Sequence, residues 1–311
     1  MVLNLFWEKI DLSYLNIEDR TYLFSFPKRK DLLLESIKRC GVLQPPIVYL
    51  KEDESFQIVC GEGRVLACQT LEIKKIPVLI LKNKSPKDLL LLSLESNLFR
   101  NLNLVEKAEF IKKALSLFSL EQIANLMEKI ELPSNKNWLD ILLEISKLDD
   151  AFKHLIVKDQ LNLHVLKFFK FLSPTEKTEF LEMINLLNLS FSEQRDVLEK
   201  LLDLKRRLDL PSLLTEELKE ALKQKDFNQR RKIFLERLKT LYYSNLSTKM
   251  LVLKPLLGRI QKGGVTVKQD PYLEKKEIEL AFKIKSTHEL SEKIKFLTEN
   301  KSVLEQILET I

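Results

Sequence analysis

From Val105 to about Arg207 the apolar positions recur at helical spacing. Ala108, Ile111, Leu115 and Phe118 follow a 3-4-3 rhythm that predicts one apolar helix face. Ser119-Leu-Glu-Gln122 is a capping-box pattern: the serine hydroxyl accepts from the amide three residues on, and Gln122 reaches back. Leu120, Ile123, Ala124 and Met127 then form a second apolar stripe, and Ser173-Pro-Thr-Glu176 is another box with Pro174 at the favoured first helical position. Helices are predicted at about 160–171, 174–187 and 192–207. The first hundred residues mix periods instead. Pro46–Leu50 and Phe56–Cys60 read as strands across the turn 51–55, Ile76–Leu81 as a third strand, and Asp31–Arg39, Arg64–Leu71 and Pro86–Leu94 as helices. Beyond a boundary at Pro211-Ser212 helices run to about Ile260, where Gly263-Gly264 interrupts them. Val265–Lys268 and Glu277–Lys285 predict a hairpin around Asp270-Pro271. Ser286-Thr-His-Glu289 caps a helix to about Leu297, and a last helix follows. The class expected is α+β, with a mixed region over 1–101, an all-helical region over 102–210 and a small helical region with a β-hairpin over 211–311.

Composition agrees with a folded, helix-rich chain. Of 311 residues 45% are hydrophobic, and only 6 are Gly and 10 Pro, the main helix interrupters. The net charge of +6 is less informative than its distribution. Asn228–Lys268 holds ten Lys or Arg and one acid, Glu236, a local +9 that exceeds the whole chain's. Such clustering fits either a solvated lysine-rich face or a polyanion-binding surface. Cys40, Cys60 and Cys68 form no C-x-x-C pair and the three histidines no cluster, so zinc is not expected and the thiols read as reduced. The N-terminus lacks a signal-peptide pattern and no apolar run is long enough to span a membrane, so a soluble, intracellular protein is expected.

Two short motifs carry candidate chemistry. Gly61-Glu-Gly-Arg64 lies between a predicted strand and helix, where glycine lets backbone approach a ligand and the helix start offers amides to phosphate. Arg64 adds a charge-assisted donor. Asn97-Leu-Phe-Arg100 follows a helix, with Asn and Arg three apart on one side of a turn. Each motif alone fits an ordinary turn and a surface salt bridge.

Their order along the chain is more specific. Ser36–Val48 contains Gln44-Pro45-Pro46, Gln57–Ala67 contains the glycine turn, Ile76-Pro77-Val78 follows, and Glu95–Ala108 contains Asn97 and Arg100 before a long helix. In this arrangement residues of about 30–205 resemble the ParB family of chromosome and plasmid partition proteins, whose N-terminal domain is shared with sulfiredoxin. The resemblance implies a CTP-dependent clamp on DNA with magnesium. The family's nucleotide motifs are a Gln-Pro segment, a Gly-Glu-Arg-Arg loop and a Glu-Asn-x-x-Arg motif. Gln44, Gly61, Glu62, Arg64, Asn97 and Arg100 match as nucleotide-binding residues, with Asn97 the implied magnesium ligand. Gly63 stands where the family has its first Arg, and Ser96 where it has Glu, with Glu95 one place out of register. These departures imply weaker binding and weakened hydrolysis, at most a weak CTPase.

The resemblance also implies a helix-turn-helix, Leu120–Lys129 then about Asn135–Lys147, with Asn135, Lys136 and Asn137 as DNA contacts. Its connection is long and lacks glycine, and Trp138, Ile141, Leu142 and Ile145 read as core. The basic C-terminal region is expected to make a homodimer and to contact DNA through Arg230, Arg231, Lys232 and Arg237. A ParA-type ATPase is an implied partner, although Met1–Ile10 carries no basic peptide of the expected kind, and the location implied is the cytoplasm, on the nucleoid. Two rivals stand beside this reading. One is a ParB-fold enzyme, a small-molecule kinase or nuclease using Glu62 or Glu95. The other is an interaction scaffold without nucleotide or DNA binding.

Overall fold

The computed structural model describes residues 4–28, 31–270, 273, 275 and 277–311. The chain divides into two units, Met1–Lys177 with Ser190–Arg195, and Thr178–Leu189 with Asp196–Ile311. Each is described by itself.

The first unit begins with five strands, Phe6–Asp11 (β1), Leu15–Asn16 (β2), Ile47–Leu50 (β3), Phe56–Cys60 (β4) and Lys75–Leu81 (β5), in the order β1-β5-β3-β4-β2. β1 runs antiparallel to β5, β3 parallel to β5 and antiparallel to β4, and β2 parallel to β4. Gln57–Cys60 are all buried, as expected for a strand covered on both faces, whereas β5 alternates over most of its length. Helices Asp31–Cys40 (α1), Glu62–Thr70 (α2) and Pro86–Glu95 (α3) complete this part, with α1 packed on α2 and α3 on β4. Ile10, Ile37, Val48, Ile58, Val65 and Ile76 belong to its core. The mixed α+β class is as expected. β1 and β2 escaped the sequence pattern: Phe6–Lys9 are exposed in an edge strand, so no buried alternation marks them.

Helices Leu104–Ala114 (α4), Leu120–Lys129 (α5), Lys136–Ser146 (α6) and Asp150–Val157 (α7) follow. α6 packs chiefly on α4, and α5 and α7 also lie against α4. The Ser119 box forms as predicted, with Gln122 N donating to Ser119 Oγ at 3.3 Å and Ser119 N to Gln122 Oε1 at 3.1 Å. Two expectations are corrected. α4 ends at Ala114, so Phe118 lies in the turn beyond it rather than on its face. The segment predicted helical at 160–171 is 3-10 over Leu163–Phe171, started by Asn162 accepting from the His164 amide. Helices Pro174–Leu187 (α8) and Phe191–Arg207 (α9) come next.

The second unit contains Glu216–Leu222 (α10), Phe227–Tyr242 (α11), Ser244–Lys262 (α12), the antiparallel strands Thr266–Gln269 (β6) and Ile278–Ala281 (β7), and helices Thr287–Glu299 (α13) and Lys301–Thr310 (α14). Leu253, Ile260, Val265, Val303 and Ile307 form its core, where α12 meets α14 and β6. The predicted hairpin is present; the proline of its Asp270-Pro271 turn lies outside the described residues. Ser286 caps α13 as expected, accepting from Glu289 N at 3.2 Å, but Glu289 reaches the amide of Lys285 instead of the cap's own.

Candidate functional site

The glycine turn is built by sterics. Gly61 has φ +94°, and a Cβ there would lie 2.8 Å from Pro46 Cβ and 2.9 Å from Pro46 Cα. Glycine is therefore required where the Gln44-Pro45-Pro46 segment crosses the end of β4. Gly61 is also the N-cap of α2 and has no side chain to cap the first amides. Arg64 turns back over the same segment, its Nη1 donating to the Gln44 carbonyl at 3.1 Å, with Nη2 3.5 Å from Gln44 Oε1.

Across a cavity of about 340 Å³ lies the second motif. Gly61, Glu62, Gly63, Arg64, Ser96, Asn97 and Arg100 all line this space, together with Phe99, which is 81% exposed. The structure thus brings together five of the six predicted nucleotide residues; Gln44 is not among the lining residues and joins them through Arg64. The volume falls in the range of small-ligand pockets.

Several polar groups in the cavity are engaged with one another. Asn97 Nδ2 donates to the Ser93 carbonyl at 2.8 Å, and its Oδ1 accepts from Arg100 Nε at 3.1 Å and Nη2 at 3.0 Å. Arg100 Nη1 donates to Glu106 Oε2 at 2.7 Å, an ion pair whose carboxylate is fully buried. Stripping one partner from a buried pair costs about 3–5 kcal/mol, whereas a neutral hydrogen bond nets about 0.5–1.5 kcal/mol. Of Arg100's bonds, that to Glu106 is therefore the firm one. Ser96 Oγ donates to the Ser93 carbonyl at 2.9 Å. Glu95 pairs with Lys129 and is not among the lining residues, so it does not replace the carboxylate missing at Ser96.

Glu62 is buried and pairs with Arg20, whose Nη2 donates to the Ser25 carbonyl at 3.2 Å. Burial pushes the Glu62 carboxyl up, against the opposing pull of Arg20 and Lys28. Arg20 is placed in turn by its neighbour. Asp19 accepts from Thr21 Oγ1 at 2.6 Å, Gln57 Nε2 at 2.7 Å and Lys51 Nζ at 3.1 Å, which fastens the loop to β4. Burial raises the Asp19 pKa, but these hydrogen bonds outweigh it and hold the carboxyl at about 2. A depressed carboxylate contributes stability that is full above its ordinary value of 3.8 and is lost as pH falls through about 2. Asp19→Asn is accordingly expected to lower urea stability at neutral pH, with the two proteins converging towards the acid end; parallel urea melts across that range check it.

Glu106 and Arg20 were missed at the sequence level. Asn103-Leu-Val-Glu106 is a legible capping box, and it forms: Glu106 N donates to Asn103 Oδ1 at 3.0 Å and Asn103 N to Glu106 Oε2 at 3.1 Å. Arg20 carries no local signal, because its partner is 42 residues away.

The predicted DNA contacts fall into two groups. Asn135, Lys136 and Asn137 are exposed at the start of α6, with Asn135 Oδ1 engaged as N-cap by the Trp138 amide at 3.0 Å. Leu142 and Ile145 are buried, as a core role requires, and Trp138 and Ile141 are half-buried. In the second unit Arg230 donates to the Gln224 carbonyl at 2.7 Å, Arg231 to those of Leu187 and Asn188 at 3.1 and 2.9 Å, and Arg237 to that of Glu217 at 2.7 Å. Three of the four arginine and lysine candidates there cap backbone, a task that charge counting does not reveal; Lys232 is exposed. Among the described residues no group of three or more His, Cys, Asp or Glu is arranged to hold a metal, and no helix is long and apolar enough to cross a membrane.

A mixed α+β domain thus places a glycine turn and an Asn-x-x-Arg turn on one cavity of small-ligand size, ahead of a block of helices. Residues 9–98 match the family model of the ParB N-terminal domain. Through that region the chain is similar to chromosome-partitioning proteins named ParB. The probable chromosome-partitioning protein ParB of Vibrio cholerae is 25% identical over 205 residues, spanning 63% of this chain and 67% of the relative. Its counterpart from Rickettsia bellii is 36% identical over 132 residues, 38% of this chain and 44% of the relative. The chain thus covers about two thirds of the first and less than half of the second. A C-terminally truncated ParB from Caulobacter crescentus complexed with CTP-gamma-S is 24% identical, with a TM-score of 0.27 over 49% of this chain and 85% of that one.

Proposed function

We propose that this protein is a CTP-dependent DNA-binding clamp acting in chromosome or plasmid partition. The observation that carries the reading is the convergence of the Gly61–Arg64 and Asn97–Arg100 turns on one cavity within a ParB N-terminal domain. Gly61 permits close backbone approach, the start of α2 offers amides, and Arg64 and Arg100 supply the positive charge that a triphosphate needs. Magnesium, when bound with the nucleotide, screens phosphate charge. Asn97 would hold it, and its Oδ1 becomes available when Arg100 engages phosphate instead. One protein ligand suits an ion that keeps several waters and shares substrate phosphates. CTP affinity by calorimetry tests this reading: measurable binding weakened by Arg64→Ala supports it, and no binding of any nucleotide contradicts it.

The remaining parts of the proposal are an N-terminal nucleotide domain over 1–101, a helix-turn-helix domain over 102–210 and a C-terminal domain over 211–311 that holds a homodimer. In the second domain α5 and α6 form the motif, with Lys136 and Asn137 as DNA contacts and Asn135 fixing the start of α6. The protein would act in the cytoplasm on the nucleoid, with a ParA-type ATPase as partner. The enzyme rival is not favoured, because Glu62 is committed to Arg20 and Glu95 to Lys129.

Non-specific DNA binding is assigned to the exposed cations of the basic stretch, with the capping arginines in a structural part. Replacing Lys232, Lys254, Arg259 and Lys262 by Ala is expected to weaken binding to unrelated sequences alike. The log–log salt slope should become shallower by about 0.9 per lost phosphate contact. Arg231→Ala, which uncaps two carbonyls, should instead lower stability by about 1–3 kcal/mol. Filter binding across a salt series and thermal melts separate the two effects.

A further inference from the structure

The Arg100 guanidinium is held along two different edges. Nε and Nη2 both donate to the neutral Asn97 Oδ1, while Nη1 donates to the buried Glu106 carboxylate. A phosphate oxygen forms charge-assisted bonds about twice as strong as those to a neutral amide oxygen, so it displaces Asn97 readily. It does not displace Glu106, whose charge would be left buried without its cation. We propose that Glu106 is a positioning residue of the nucleotide site: by holding Nη1 it sets the guanidinium so that the Nε–Nη2 edge is the one transferred from Asn97 to a phosphate. This rests on the nucleotide reading above.

Glu106 is itself firmly placed. Its Oε2 also accepts from the Asn103 amide at 3.1 Å and its Oε1 from the Phe26 amide at 3.3 Å. The carboxylate therefore ties three things together: the arginine that lines the cavity, the first turn of α4, and the chain just after Ser25, another lining residue. Glu106 lies outside every motif that marks the site, and its role follows only from these contacts. A sign distinguishes positioning from mere proximity. A nearby carboxylate repels phosphate, so charge alone predicts that neutralising Glu106 raises nucleotide affinity; positioning predicts that it falls.

The test is CTP calorimetry on the full chain, with thermal melts of every variant. Glu106→Gln is expected to bind CTP about tenfold more weakly than wild type. Arg100→Lys, which keeps a cation beside Glu106 but has no Nε–Nη2 edge, should lose affinity to a similar extent while melting close to wild type. Asn103→Ala removes the cap of the same helix and should lower the melting temperature, yet leave affinity within about twofold because the Arg100–Glu106 pair survives. Should Glu106→Gln fail to fold, Glu106→Asp carries the same test: it keeps the charge but draws it back by one methylene, and reduced affinity is again expected. Unchanged or tighter binding by the Glu106 variant overturns the proposal. So does a loss of affinity in Asn103→Ala in step with its lost stability, which would make the role purely structural. If wild type itself binds no nucleotide, the nucleotide reading fails first, and the failure is recognisable because it appears before any substitution.

Discussion

Gly61→Ala is expected to abolish nucleotide binding and to destabilise the N-terminal domain by about 2–4 kcal/mol. Two costs add. The first is conformational: φ is +94°, a region that L side chains rarely adopt. The second is steric, because the new methyl would sit 2.8 Å from Pro46 Cβ and 3.2 Å from Arg64 Nη1. Pro46 is buried and cannot retreat freely, so relief must come from moving the Gln44–Pro46 segment or the start of α2. Either movement displaces Arg64, which hydrogen-bonds that segment. The loss of stability should be read by urea melts and the loss of binding by calorimetry. Gly63→Ala controls for stability alone: no positive φ marks that position, and the variant should melt close to wild type.

The second large effect concerns turnover. Ser96 lines the cavity beside Asn97, where a carboxylate would be placed to orient water, accept its proton or help hold magnesium. A hydroxyl that stays uncharged at neutral pH does each of these poorly. Since a positioned general base contributes typically about 10²–10⁴-fold, wild type is expected to release phosphate from CTP slowly, and Ser96→Glu to raise that release by about 10²-fold. Glu95→Gln should leave the rate as it was, because Glu95 faces Lys129. Phosphate release with DNA and magnesium present measures both. A wild-type rate already equal to that of the Ser96→Glu variant would show that another group has taken the role.

The parts of the molecule that were legible in the sequence are those governed by local rules. The Ser119 and Ser173 caps, the three inner strands and the hairpin around 266–281 follow from short-range pattern, and all form. The glycine turn and Asn97–Arg100 were legible as motifs, and all their residues but Leu98 line one cavity. What escaped depends on distant partners. β1 gains its place from pairing with β5 some seventy residues on, with little buried pattern of its own. Arg20 matters through Glu62, and Glu106 through Arg100, neither of which any local periodicity encodes. The basic stretch was legible as charge but not as contacts. Counting charges cannot separate an arginine bonded to backbone carbonyls from one that faces solvent, and Arg230, Arg231 and Arg237 are of the first kind.

On the proposed function, nucleotide in the N-terminal cavity controls a clamp on DNA. Its most direct test is salt-resistant retention of the purified protein on closed circular DNA carrying its binding site, measured with and without CTP and again after the circle is cut. Retention is expected only with CTP, with its loss on linearisation and its absence in Arg100→Ala. Equal retention with and without CTP, or retention that survives both cutting and Arg100→Ala, would contradict it.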